Sequence, residues 1–368
     1  MTQSITKRDN FLDYGKALLL IWVALNHVAA PLPNNGSITM LFFFFVSGYV
    51  YNGRRPVKEA IKARFKGILV PFWVATAILG ILEIPRAMYL GYGGSGIVVL
   101  ALLGGLWGSA LVPELGSITP TLYWLKNFHP NGDGLIDTVL PLTCHLWFLP
   151  AMFVASCLFY VYAKKVRKTP WNDAVAIAIL CILAWVETLF APELPYGIGR
   201  GCWGCAAMIA GLDAKEMGIF TSKTKLKFVM PCSLIVAAVA AYAGAASVMP
   251  LVAYYGEYGL VSVFISLIGG VSGSIFLCYV LRLLEKLLNG RDGLLCFVGR
   301  NTMPIYLWHM PVLNILSFAL LAVMGTAPYD DPIKVALLPQ EWVLAKFAVA
   351  FLAVAIVLGI SKTLKRTN

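Results

Sequence analysis

DYGKALLLIWVALNHVAAP, residues 13–31, is an apolar run broken by a lysine near one end and a histidine near the other. At about 100° per residue, Lys16 and His27 fall on nearly the same face of a helix, some three turns and about 16 Å apart. The apolar part, residues 17–32, is long enough to cross most of a hydrocarbon core of roughly 30 Å. FFFFVSGYVY, residues 42–51, follows almost at once as a second apolar run. No small-residue cleavage site separates the two, so a cleavable signal peptide is not expected.

The rest of the chain repeats this texture. Of 368 residues 59% are hydrophobic and 13% charged, and the mean hydropathy is +0.78, whereas a soluble domain carries about 25% charged residues. One water-soluble core cannot absorb that much apolar surface. Apolar runs near 17–32, 38–53, 67–84, 143–163, 174–190, 199–214, 228–248, 258–281, 301–325 and 342–361 predict an all-α polytopic membrane protein with about ten transmembrane helices. The second and sixth are short for a full crossing. No repeat or soluble domain interrupts them, so residues 1–368 read as a single integral-membrane domain.

Charge fixes the orientation. The net charge of +11 would suggest nucleic acid in a soluble protein, but here most Lys and Arg lie in the amino terminus, the 54–66 loop, 164–168, 215–227, 282–300 and the carboxyl terminus. Ten spans put all of these on one side, which the positive-inside rule makes cytoplasmic, together with both termini. No nucleic-acid partner is expected. Counting the Gly-rich stretch 95–112 as a further span would invert everything after it, so it reads as a re-entrant or interfacial segment. The exterior loop 85–142 holds Glu114, Asp133 and Asp137.

The eight cysteines lie mostly within apolar runs and read as small buried residues rather than a disulfide framework. Cys202 and Cys205 form a C-x-x-C with no second pair at zinc-ribbon spacing, so no metal is expected.

Ionisable groups inside a span are costly and point to function. Imidazole is the side chain best suited to take a proton from a hydroxyl near neutral pH, which singles out His27; the alternative is a structural histidine bonded to a neighbouring helix. Lys16 alone is a snorkelling interfacial lysine. Ser47 and Gly48 follow four phenylalanines and first suggest close helix packing, although a ligand could use the same gap. Arg64 and Lys66 precede Pro71 and suit a phosphate-bearing ligand at the cytoplasmic mouth, or anionic lipid and topology control. His145 opens HLWFLPAMF at an exterior helix end with Trp147 as an interface anchor. His309 lies beside Asn301 and Tyr306 in GRNTMPIYLWHMP. His129 sits in a polar loop and reads as solvated.

Together these segments resemble the membrane acyltransferase 3 family, the O-acetyltransferases of bacterial cell-surface polysaccharides. Lys16 and His27 match its basic-x10-His motif, preceded by a frequent aspartate at Asp13. Phe42 to Gly48 match FFF-x-SG, Arg64 to Pro71 the basic stretch ending in proline, His145 to Leu149 HLWFL, and Gly299 to His309 the pattern G-x-N-x-x-x-I-Y-x-x-H. The similarity spans the chain, and the family too has about ten spans. Lys16 stands where many members carry arginine, and Gly67 where a further basic residue is common.

The resemblance implies a bacterial inner-membrane enzyme that moves an acetyl group from cytoplasmic acetyl-CoA, a substrate and not a resident cofactor, to a hydroxyl of a sugar or lipid-linked glycan. Lys16, Arg64 and Lys66 would hold the donor. His27 would act as general base, or carry the acyl group itself. Asp13, Ser47, His145, Trp147, Asn301, Tyr306 and His309 would serve the acceptor or support the site. The rival reading is a transporter or flippase of a lipid-linked glycan or small solute, which often shows broken helices in repeated halves; the sequence shows no such repeat.

Overall fold

A turn ends the first helix ahead of Pro31. In the computed structural model of the chain, which describes residues 10–32, 36–89, 144–190, 194–240, 242, 255–326 and 338–367, α1 runs Asn10–His27. It begins before the apolar run that predicted it and ends on His27, short of residue 32. At its start the Asn10 amide donates to Glu285 Oε1 (2.9 Å) and Asn10 Nδ2 to the Gly290 carbonyl (2.9 Å), which satisfies a polar first turn within the protein. Past His27 the chain turns back, with Ala29 at φ +49° and the amides of Ala29 and Ala30 bonded to the carbonyls of Asn26 and Leu25. Pro31 disfavours α geometry at Ala30 before it, which suits a helix end at this place.

Every regular element among the described residues is helical. After α1 come α2 (Gly36–Tyr49), α3 (Val57–Arg64), α4 (Val70–Tyr89), α5 (Phe148–Val161), α6 (Pro170–Phe190), α7 (Ile198–Glu216), α8 (Lys223–Ala240), α9 (Tyr255–Leu287), α10 (Leu294–Arg300), α11 (Thr302–Met324) and α12 (Val343–Thr367). Each expected apolar run coincides with one of these. Six helical stretches are long and apolar enough to cross a membrane: Val57–Leu82, His145–Val166, Pro170–Glu187, Gly259–Leu287, Thr302–Met324 and Val343–Leu364. Shorter apolar stretches, Thr39–Tyr49 and Lys227–Ala240, lie in α2 and α8. The second run is short, as expected. The sixth lies in α7, which has 19 residues but is not among the stretches long and apolar enough to cross. The segment 95–112, Glu114, His129, Asp133 and Asp137 lie outside the described residues.

Helices α3 and α4 form one continuous rod joined by a π-helical turn, Phe65–Leu69, in which the Val70 amide reaches the Phe65 carbonyl. Pro71 accounts for it. A proline inside a helix has no amide to give the carbonyl four residues back, and its ring crowds that carbonyl, so the turn widens. Gly67 lies in this turn, and a Cβ there would meet open space.

Helix α7 sits centrally, packed by α2, α5, α6 and α9. Glycine makes the α2–α7 approach possible: a Cβ on Gly48 would strike the Met208 carbonyl, and one on Gly211 the Phe45 carbonyl. This bears out the packing reading of Gly48. Ser47 donates to the Phe43 carbonyl of its own helix (2.8 Å). Cys202 and Cys205 are free and buried; Cys232 departs from expectation by being exposed. The phenylalanine run has a packing role too: Phe43 and Phe44 set their rings on Phe148, at centroid distances of 5.8 and 5.1 Å, and Phe148 meets Tyr306 at 5.7 Å.

Candidate active site

Three histidines far apart in sequence meet in space. His27 is the last residue of α1, His145 lies in the 3-10 turn Cys144–Trp147 that leads into α5, and His309 lies in α11. Ring centroids are 5.3 Å apart for His27 and His309, 6.1 Å for His27 and His145, and 4.7 Å for His145 and His309. His145 and His309 are buried, while His27 is half-buried.

The α11 backbone organises two of these rings. The Tyr306 carbonyl accepts from His145 Nε2 (2.8 Å) and from His309 Nδ1 (3.0 Å), and the Ile305 carbonyl also accepts from His309 Nδ1 (3.0 Å). Tyr306 returns the contact by donating its hydroxyl to the His145 carbonyl. Because Pro311 interrupts α11, the Leu307 carbonyl lacks its helical donor, and it too lies beside His145. The proline of the sequence motif thus opens the helix wall on which His145 is seated.

These acceptors assign the tautomers. A carbonyl can only accept, so in the neutral rings His145 carries its hydrogen on Nε2 and His309 on Nδ1. His145 Nδ1 and His309 Nε2 are then bare lone pairs, and both are buried with no hydrogen-bond partner among the described residues. His27 makes no side-chain hydrogen bond there either. A cluster of imidazoles with free lone pairs, shielded from water, can accept a proton from a hydroxyl. Among the described residues no group of His, Cys, Asp or Glu is arranged to hold a metal ion.

The cations expected to hold a donor stand on α1 and on the α3–α4 rod, and two of them have acceptors of their own. Lys16 Nζ lies 3.3 Å from Asp13 Oδ1, on a carboxylate only 1% exposed. Asp13 Oδ2 also accepts from Arg300 Nε (3.1 Å), and Arg300 Nη1 reaches Asp292 (2.7 Å). Asp292 and then Asp13 raise the pKa of Arg300 above its ordinary value. Arg64 Nε donates to the Tyr160 hydroxyl (2.9 Å), and Lys66 is exposed. No hydrogen bond or ion pair among the described residues joins Lys16 to Arg64 or Lys66.

Two further expectations are refined. The Trp147 ring is 9% exposed, and the Arg200 guanidinium lies over it at 4.9 Å, so a cation already covers a face that a sugar would have stacked on. Asn301 Nδ2 donates to the Phe297 carbonyl (2.8 Å) at the α10–α11 junction.

Sequence reasoning passed over two buried cations. Arg200 is 6% and Lys346 1% exposed. Both fall inside apolar runs expected to span, 199–214 and 342–361, where the rule that ionisable groups in a span are costly would have marked them.

The model of a family described as an acyltransferase domain matches residues 9–362. No curated protein and no solved structure matches the chain.

Proposed function

The chain belongs to this membrane acyltransferase 3 family, and from that membership we propose that it moves an acetyl group from cytoplasmic acetyl-CoA to a hydroxyl of a cell-surface sugar or lipid-linked glycan. In this reading the protein crosses a bacterial inner membrane about ten times with both termini in the cytoplasm, following the distribution of Lys and Arg.

The observation that carries the reading is the convergence of His27, His145 and His309, with buried lone pairs on two of the rings. His27 takes the proton of the acceptor hydroxyl as its oxygen attacks the thioester carbonyl carbon. The carbon–sulfur bond breaks, and the leaving thiolate takes the proton from His27, so that free coenzyme A departs and the base is restored. His309 and His145 flank that ring and fix the local field in which it gains and loses charge. Arg64 and Lys66 meet the phosphates of the donor from the cytoplasmic side, with Lys16 nearer the bundle.

The test is turnover of labelled acetyl-CoA by the purified full-length chain in lipid nanodiscs supplied with glycan-bearing membrane extract. Label should pass to the extract with the wild type and stop with His27→Ala. Unchanged transfer by His27→Ala would remove the site from the mechanism. Absence of any acetyl-CoA turnover by the wild type would favour transport. Label retained on the protein would replace direct transfer with an acyl-imidazole route.

A further inference from the structure

Lys346 lies one turn into α12, where apolar neighbours give a cation no reason to be. At 1% exposure its ammonium depends on what it can donate to. It donates to the Ala29 carbonyl at 3.1 Å and reaches the Gln340 carbonyl at 3.5 Å. Among the described residues it makes no ion pair, so its link to the rest of the molecule beyond its own segment is the Ala29 carbonyl.

That carbonyl sits where α1 ends, two residues past His27. Ala29 has φ +49°, a left-handed conformation that is strained for a residue with a Cβ. Such a turn persists only when its surroundings hold it. The carbonyl end of a helix carries partial negative charge, for which an ammonium is the matching partner. His27 is the last residue of that helix and makes no side-chain hydrogen bond among the described residues. Its ring is therefore placed by the backbone beneath it, and that backbone is fastened by Lys346.

We propose that Lys346 is a positioning residue for His27: by holding the Ala29 carbonyl, its ammonium fixes the termination of α1 and with it the place of the His27 ring against His309 and His145. The proposal rests on His27 being the base of the acyl transfer. An error of about 1 Å at a reacting group costs on the order of 10²-fold in rate, so loosening one turn is enough to matter. A residue that acts only through the place of His27 changes the chemical step and leaves donor binding alone.

The test compares wild type, His27→Ala, Lys346→Met, Lys346→Arg and the double variant His27→Ala/Lys346→Met in the assay above, per mole of folded full-length protein. Lys346→Met should lower kcat about 10²-fold with the KM for acetyl-CoA within about twofold, Lys346→Arg should restore most of that loss, and the double variant should be no slower than His27→Ala. A normal kcat in Lys346→Met, a loss that appears only in KM, or a full additional loss in the double variant would overturn the role. If Lys346→Met yields no folded protein, Lys346→Gln replaces it, and equal activity of Lys346→Gln, Lys346→Arg and the wild type would overturn it. Full activity in His27→Ala would bring down the reading of the site and this proposal with it. An inactive His27→Ala beside a normal Lys346→Met would remove Lys346 alone.

Discussion

Helices α1 and α5 each carry an imidazole at one end and an ion cluster at the other, and the two ends are built on opposite terms. At the ion clusters the cations have acceptors: Lys16 and Arg300 share Asp13, and Arg64 has the Tyr160 hydroxyl. Arg167 alone meets Asp173 (2.9 Å), Asp213 (2.8 Å) and Glu216 (2.6 Å), and the Glu216 and Asp173 contacts raise its pKa above the ordinary arginine value. At the imidazole end, buried nitrogens of His145 and His309 have no hydrogen-bond partner among the described residues. The difference teaches that the most conspicuous charges of this chain are largely occupied in holding helices together. The groups free to exchange a proton are neutral ones, kept bare by backbone carbonyls that consume their other nitrogen.

The contrast is open to direct attack. His27→Ala strikes the imidazole end and should lower acetyl transfer by roughly 10²–10⁴-fold, the range a general base contributes, with the melting temperature near that of the wild type. Next, His309→Ala removes one bare nitrogen and should cost about 10²-fold in kcat; an effect only on the amount of folded protein would make His309 structural and weaken the contrast. Arg64→Ala with Lys66→Ala strikes the other end. It should raise the KM for acetyl-CoA about tenfold, the scale of a lost charge-assisted hydrogen bond, with kcat little changed, and a large fall in kcat would erase the distinction between the two ends. The smallest effect belongs to Ser47→Ala. Among the described residues its hydroxyl serves only the Phe43 carbonyl of its own helix, so stability should move by no more than about 0.5 kcal/mol, read as a thermal shift, and a larger change in donor KM would return Ser47 to the binding site.

What was legible in the sequence follows the range of the forces involved. Apolar runs report burial in lipid locally, and each one coincides with a helix. Helix ends were less legible: α1 is already helical at Asn10, ahead of the apolar run, where Glu285 and Gly290 receive the polar groups of Asn10, partners that no window around residue 10 contains. The meeting of His27, His145 and His309 depends on three helices packing together, which no periodicity encodes, and only the order of the motifs hinted at it. Trp147 was read as an interface anchor on the acceptor side, and its cover by Arg200 was not legible because Arg200 lies in another helix. Arg200 and Lys346 belong to none of the motifs, and only the cost of a cation within an apolar run would have marked them.

The π-helical turn at Phe65–Leu69 has the arithmetic of one inserted residue. Relative to an unbroken α-helix continuing back from α4, everything from Val57 to Arg64 is displaced by about 100° around the axis. Arg64 meets the Tyr160 hydroxyl in that displaced register. Pro71 therefore acts as an aiming device for a guanidinium it never touches. A chain with Pro71→Ala is free to rewind its helix and swing Arg64 off Tyr160, leaving every cation present in the sequence and one of them pointing its charge elsewhere.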